Sequence, residues 1–256
     1  MKKAVVYAGT ENLYRDMITA SKSLRLNSSV DEIYFLIEHK VFPYTVPDFI
    51  HPIDVSRQRY FGRNCPNIYP HWTVMTLMKA ILTKLFPDYD RILILDVDTI
   101  VDGNIDELWD LDLEGYELAG VPEPLKSLPE MPYINCGVIM ENLKALRENG
   151  TDEEIIHRLN EKAYDFAEQD CMNEICCERI LTLPSVYNSN DFTEPCEEPK
   201  IIHYACNRKF RELPKVRKYA GLSWDEIERL RCVHQPDHCR AAGGLQYPES
   251  RWRQYF

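Results

Sequence analysis

Between Arg91 and Asp102 the chain reads Arg-Ile-Leu-Ile-Leu-Asp-Val-Asp-Thr-Ile-Val-Asp, and no other segment of its 256 residues restricts the fold so tightly. A four-residue apolar run bounded by charge reads as a strand buried on both faces, as in the middle of a parallel sheet. Side chains alternate along a strand, so Asp96 and Asp98 are expected on one side and Val97 on the other. Carboxylates at the C-terminal end of such a strand lie where open α/β sheets take ligands. Left alone, the two would raise one another's pKa, and a divalent cation is the natural way to keep both ionised. The plainer reading is an acidic strand exit solvated by water.

Strand and helix patterns alternate on either side of this segment. Residues 3–8 read as a strand, and Leu13, Met17, Ala20 and Leu24 then mark one face of a helix. Ile33 to Ile37 is a second strand. Residues 38–70, broken by Pro43, Pro47, Pro52, Pro66 and Pro70, read as loop. A helix from about Trp72 to Phe86, stopped by Pro87, leads into the strand ending at Asp96. A short acidic helix near 104–110, strands near 117–121 and from Tyr133 to Met140, and helical pattern to about residue 178 follow. This order predicts an α/β fold, a mainly parallel twisted sheet flanked by helices. No repeat or linker divides the chain, which reads as one domain over residues 1–211 with an extension over 212–256.

Charge narrows the class of partner. A net charge of −11 argues against general nucleic-acid binding, which wants a basic footprint. No apolar run is long enough to span a membrane, and the first apolar stretch is too short for a signal-peptide core. Nine cysteines, an odd count, suit reduced thiols and a cytoplasmic setting. Residues 88–114 carry ten Asp/Glu against Arg91 alone, whereas 207–218 hold Arg208, Lys209, Arg211, Lys215, Arg217 and Lys218 against Glu212. These are either two solvated faces, or an acidic metal-binding pole and a basic loop that closes over a phosphate. Both features suit a diphosphate, which cannot approach paired carboxylates without a cation between them.

Several motifs then line up in order: Val5-Val6-Tyr7-Ala8-Gly9-Thr10-Glu11-Asn12, the stretch from Lys79 to Asp98, Asn104-Ile105-Asp106-Glu107-Leu108-Trp109, Tyr133-Ile134-Asn135-Cys136-Gly137-Val138, Glu168-Gln169-Asp170-Cys171-Met172-Asn173, and His203-Tyr204. Over roughly residues 3–211 the chain resembles the retaining glycosyltransferases of family 8, which include glycogenin and bacterial lipopolysaccharide galactosyltransferases. The resemblance implies a GT-A fold and a metal-dependent transfer of hexose from a nucleotide-diphosphate sugar, UDP-glucose or UDP-galactose, to a carbohydrate or glycoconjugate hydroxyl. Its DxD pair matches Asp96 and Asp98, and its distant metal-binding histidine matches His203. Oxygen and imidazole ligands suit Mn²⁺, with Mg²⁺ as the alternative ion.

The resemblance also assigns further residues. Ala8, Thr10 and Asn12 match positions that touch the nucleoside, where the family commonly has Asp at the position of Thr10. Lys79, where an arginine is common, and Lys209 match basic contacts to the nucleotide sugar, together with Asp96, Val97 and Asp98. A Lys supplies charge without the bidentate fork of an Arg, and for Lys79 the plain alternative is an exposed helical lysine. Glu123 matches an acid that binds donor-sugar hydroxyls. Asn135, Glu168 and Gln169 fall near the reacting sugar, and Gly137 allows close backbone approach. Leu13 stands where an aromatic often stacks on the base, with Tyr14 beside it as a substitute. Cys206 replaces a glycine, and Phe210-Arg211 replace Pro-Trp, near the basic loop.

Two rival readings follow from the same residues. The stretch from Ile92 to Gly103 also resembles the first motif of haloacid-dehalogenase phosphatases, with Asp96 as nucleophile and Asp98 as acid/base, although that motif usually opens its domain. The substitutions at Thr10, Cys206 and Phe210 would suit a nucleotide-sugar-binding module without turnover. In the tail, Cys232, His234, His238 and Cys239 cluster four potential zinc ligands, in a spacing unlike common zinc modules. The basic, aromatic end from Arg251 to Phe256 could make a weak peripheral contact with an anionic membrane surface, a packed or frayed terminus being the plainer reading.

Overall fold

The structure, a computed structural model, describes residues 2–69, 73–127, 131–205 and 209–234. In order come β1 (Ala4–Gly9), α1 (Tyr14–Asn27), β2 (Glu32–Ile37), β3 (Ile50–Asp54), a 3-10 helix over Thr76–Ile81 continuing into α2 (Leu82–Leu85), β4 (Ile92–Leu95) and β5 (Thr99–Val101). A 3-10 turn over Asp106–Asp110, β6 (Leu118–Pro122), β7 (Ile134–Glu141), α3 (Leu143–Asn149), α4 (Thr151–Glu161) and α5 (Ala167–Cys176) follow. The described chain ends with β8 (Ile180–Thr182), β9 (Ile201–His203), α6 (Pro214–Gly221) and α7 (Trp224–His234).

Seven strands form one sheet in the order β3-β2-β1-β4-β7-β6-β8, and β5 pairs with β9 in a separate two-stranded ladder. β1 is parallel to both β2 and β4, and β2 to β3, so the parallel half is the expected βαβ unit. β7 runs antiparallel to both neighbours. The chain leaves β1 toward β2 and β3, then returns to place β4 on the other side of β1. That reversal makes the carboxyl ends of β1 and β4 a topological switch point, where doubly wound sheets bind ligands.

The apolar runs behave as their patterns predict. Ile92 and Ile94 of β4 pack into one core cluster, while Leu93 and Leu95 pack into the other on the opposite face. Ala4 and Val6 divide from Val5 and Tyr7 in β1 in the same way. Each of the buried Ile, Leu and Val side chains contributes about 1.5–3 kcal/mol of apolar burial. In α1, Met17, Ala20 and Leu24 face the sheet as expected, but Ser21, Lys22 and Ser23 are buried as well. They are covered because α6 and α7 pack on the far side of that helix.

Three expectations are corrected. The loop-rich region contains β3, whose Pro52 pairs with Phe35. β3 is an edge strand, where a residue without an N–H is tolerated. The helix expected over 72–86 is a 3-10 segment and a short α2, with i to i−3 bonds such as Leu77 N–H to Val74 O (3.1 Å). Asp96 and Asp98 also lie beyond the strand rather than on it, as the next subsection describes.

Cys65, Cys136, Cys171, Cys176, Cys177 and Cys196 are free thiols, and Cys232 is not one of them. His238, Cys239 and the Arg251–Phe256 stretch lie outside the described residues. No helix among the described residues is long and apolar enough to cross a membrane.

Candidate active site

β4 stops at Leu95, and the next residues form a tight turn. The Thr99 N–H donates to Asp96 O (3.2 Å), and the Thr99 hydroxyl donates to the same oxygen (2.8 Å). The two carboxylates therefore converge across a turn and not, as strand alternation predicts, along one strand face. Asp96 is tied to β7 through its own N–H, which donates to Gly137 O (2.8 Å).

β5 begins at Thr99 and pairs residue for residue with β9, Thr99 opposite His203. This ladder delivers the distant imidazole to the acids. His203 Nε2 stands 3.3 Å from Asp98 Oδ1 and 3.8 Å from Asp96 Oδ2. One ligand atom from each of Asp96, Asp98 and His203 lies within 4.8 Å of the others. Gly137 makes the approach feasible, since a Cβ there would stand 2.0 Å from the His203 ring carbon Cε1. Burial works against a charged His203, but the hydrogen bond and charge of Asp98 outweigh it and raise its pKa. Burial likewise opposes ionisation of Asp98, yet His203 holds its carboxyl below the ordinary value.

Lys79, expected on a helix, projects inward and is buried. Its ammonium lies 2.8 Å from Asp96 Oδ1 and 3.2 Å from Glu168 Oε1, and donates to Cys136 O at 2.9 Å. Burial alone would lower its pKa, but Asp96 and Glu168 raise it. Lys79 is thus a permanent internal cation that holds Asp96 and the start of α5 together. Burial pushes Glu168 up to about 7 while Lys79 pulls the other way, and its Oε2 has no hydrogen-bond partner.

A cavity of about 220 Å³ opens beside the acids and the imidazole. Glu123, Asn135 and Gln169 line it, together with Lys126, Phe166 and Phe192, which the sequence reading does not single out. Asn135 Nδ2 donates to Glu123 Oε1 (2.7 Å), and Gln169 Nε2 reaches the same oxygen at 3.3 Å. Gln169 Oε1 accepts from the Cys136 N–H (2.9 Å), which fixes the orientation of its amide. Lys126 pairs with Glu123 Oε2 (3.2 Å) and sits 3.6 Å above the Phe166 ring. Its position three residues after an acid was the available signal.

Other expected residues stand apart from this cavity. Ala8, Thr10 and Asn12 lie at the carboxyl end of β1, across the switch point from Asp96, and the Thr10 hydroxyl donates to Asn12 Oδ1 (2.5 Å). Val97 packs toward them, its Cγ1 3.4 Å from where a Cβ on Gly9 would be. Tyr14 cannot stack on a ligand: it is fully buried, against Phe42, and accepts from the Glu38 N–H (3.1 Å). Lys209 is exposed just before the 3-10 turn over Phe210–Glu212 and does not line the cavity. Two members of the basic run are used internally: Arg211 pairs with Asp16 (2.6 Å), and Lys215 with Asp102.

Residues 5–210 match the profile of the family described as Glycosyl transferase family 8. The glycosyltransferase GlyA of Streptococcus pneumoniae serotype 4 is 25% identical over 262 residues, a match covering 91% of this chain but 37% of GlyA. The chain therefore spans little more than a third of that relative. The crystal structure of apo GlyE from the same organism superposes with a TM-score of 0.67 at 20% identity, covering 92% of this chain and 64% of that one. That of the galactosyltransferase LgtC, in complex with donor and acceptor sugar analogues, gives a TM-score of 0.63 at 17% identity, covering 93% and 99%. These superpositions establish a GT-A fold.

Proposed function

The chain belongs to glycosyl transferase family 8, and we propose that it moves a hexose from UDP-glucose or UDP-galactose to a carbohydrate or glycoconjugate hydroxyl, with retention at the anomeric carbon. It is a glycosyltransferase; the donor, the acceptor and the stereochemical course are the proposal. Family membership, and an imidazole where a second acidic pair would be needed, set aside the phosphatase reading. The observation that carries the proposal is the gathering of Asp96, Asp98 and His203 in the wall of one cavity.

Glycosyltransferases of this fold commonly use a divalent metal, and the residues present fit one. Two carboxylates and an imidazole converge within ligand range, and the absence of a Cβ at Gly137 makes room for the ring. Mn²⁺, with Mg²⁺ as the alternative, suits this mixed oxygen and nitrogen set. When bound, such an ion supplies positive charge against the diphosphate and stabilises the leaving nucleoside diphosphate.

The remaining work falls to the chain's own side chains. Lys79 holds Asp96 in place through their ion pair. Ala8, Thr10 and Asn12 hold the nucleoside at the switch point, and Lys209 adds charge toward the diphosphate. Glu123, braced by Asn135, Gln169 and Lys126, accepts hydrogen bonds from donor-sugar hydroxyls. The amides of Asn135 and Gln169 orient the reacting sugar without competing as nucleophiles. Phe166 and Phe192, about half exposed at 45% and 46%, give the cavity apolar walls suited to the ring face of an acceptor sugar.

A thermal-shift screen of nucleoside diphosphates and their sugars, with and without Mn²⁺, tests this reading. Stabilisation by UDP should require the ion and be largely lost in Asp98→Ala. Stabilisation that ignores the metal, or none with any nucleotide, would overturn it. Hydrolysis of the stabilising UDP-sugar distinguishes an enzyme from a module that only binds.

A further inference from the structure

Asn188 lies fully buried in the segment between β8 and β9, in neither the sheet nor the cavity lining. Its side chain bridges two other amides and the His203 ring, and the direction of every bond can be fixed from both ends. The Gly137 N–H, which can only donate, reaches Asn135 Oδ1 at 3.0 Å. The neighbouring Asn188 atom, 2.9 Å from that same oxygen, must therefore be Nδ2. From the other side, the Phe192 N–H donates to Asn190 Oδ1 (2.8 Å), so Asn190 presents its Nδ2 to Asn188 Oδ1 at 2.9 Å. Both anchors agree that Asn188 Oδ1 is an acceptor.

His203 Nδ1 stands 3.1 Å from that oxygen and must carry a proton. Nε2 is then the nitrogen left facing Asp98 and Asp96, the one a metal ion would take. A cation between Nε2 and the two carboxylates suits this arrangement, a proton on Nε2 when no metal is bound or a metal ion in its place. We infer that Asn188 is a positioning residue, which sets the His203 tautomer for metal ligation and ties the imidazole through Asn135 to Glu123. A hydrogen bond of this type on the second ring nitrogen orients a ligating histidine and raises its basicity. The unbroken series His203–Asn188–Asn135–Glu123 joins the metal ligands to the acid proposed to hold the sugar.

The inference rests on the metal-binding reading given above, and the test separates the two. Mn²⁺ is titrated into the full chain and the free ion is followed by electron paramagnetic resonance, with circular dichroism checking the fold of each variant. Asn188→Ala should weaken Mn²⁺ binding by about 10–100-fold. Asn188→Asp keeps an acceptor for Nδ1–H but cannot donate to Asn135, and should hold Mn²⁺ close to wild-type affinity. Equal binding by the Ala variant, or an equal loss in both variants, overturns the role of Asn188. No Mn²⁺ binding by the unsubstituted protein overturns the metal reading and the inference with it. Nitrogen-15 spectra of the metal-free, unsubstituted protein give an independent readout. Recorded at a pH high enough for the ring to lose one proton, they should show the remaining proton on Nδ1, and a proton on Nε2 instead overturns the assignment.

Discussion

Glu141, the last residue of β7, is a buried acid that the proposed chemistry does not use. It is 1% exposed, its Oε1 has no hydrogen-bond partner, and burial pushes its pKa up to about 8 against the opposing charge of Lys79. The native protein therefore keeps a proton there that the unfolded chain releases near pH 4.3. Because the folded state binds more protons, stability falls as pH rises from about 4.5 toward 8, by at most about 1.4 kcal/mol per pH unit. Glu141→Gln removes the titration while keeping the shape. It should melt several degrees higher than the unsubstituted protein at pH 8 and nearly level with it at pH 5. An equal gain at both values would show that the charge is not the cause. Asp96, just past the end of the neighbouring strand β4, has a different setting. Asp96 has Lys79 at 2.8 Å and a cavity in front of it; Glu141 has neither.

The entry into α5 is the most constrained local feature of the site. Ala167 has φ +43°, the one positive φ outside glycine among the described residues, and it is wholly buried. That turn leaves Phe166 at the cavity wall while Glu168 and Gln169 point to Lys79 and to the Cys136 N–H. A left-handed conformation costs an L-residue about 1–2 kcal/mol, and more for a β-branched one. Ala167→Val adds crowding of about 1–3 kcal/mol. It should lower both the melting temperature and kcat, while Ala167→Gly should melt at or above the parent. Loss of stability in the Gly variant would refute the strain argument.

Elements whose two faces differ, or whose apolar run is short and charge-bounded, were legible: β1, α1, β2 and β4. The Thr76–Ile81 segment was misread as regular helix because Leu77 to Thr83 are buried without a break, leaving no solvent stripe for periodicity to mark. Asp96 and Asp98 stand out because two acids close a short apolar run, whereas His203, Asn135, Gln169 and Glu123 enter only through the family resemblance. Asn188 and Asn190 could not be found, since they act through hydrogen bonds formed only after β8 and β9 are in place. The Asn-Ser-Asn-Asp run at 188–191 was their only trace.

At the level of the molecule, α6 and α7 act as a brace. They pack on α1 through Arg25–Glu228 (2.7 Å), an Asn27 amide donating to Tyr219 Oη (3.1 Å), and a small core of Leu26, Ile100, Phe210, Val216, Tyr219 and Ile227. α1 in turn holds β5: Asn27 Nδ2 donates to Val101 O (2.9 Å), and the Val101 N–H donates to Ser23 Oγ (3.0 Å). The brace therefore supports the ladder that carries His203. Ile227→Ala, at a wholly buried position, should cost about 2–5 kcal/mol in denaturant unfolding. UDP with Mn²⁺ should recover part of the lost melting temperature, because ligands that bind only the folded state add stability. A variant that unfolds no more easily would show that this core contributes little.

The pairing of Thr99 with His203 also bears on biosynthesis. A ribosome releases the two aspartates long before the imidazole, so a growing chain carries two of the three proposed ligands without the last for much of its translation. Only when β9 zips onto β5 does the third of the proposed ligands arrive, so capture of an ion there would be a late event that reports on completion of the fold.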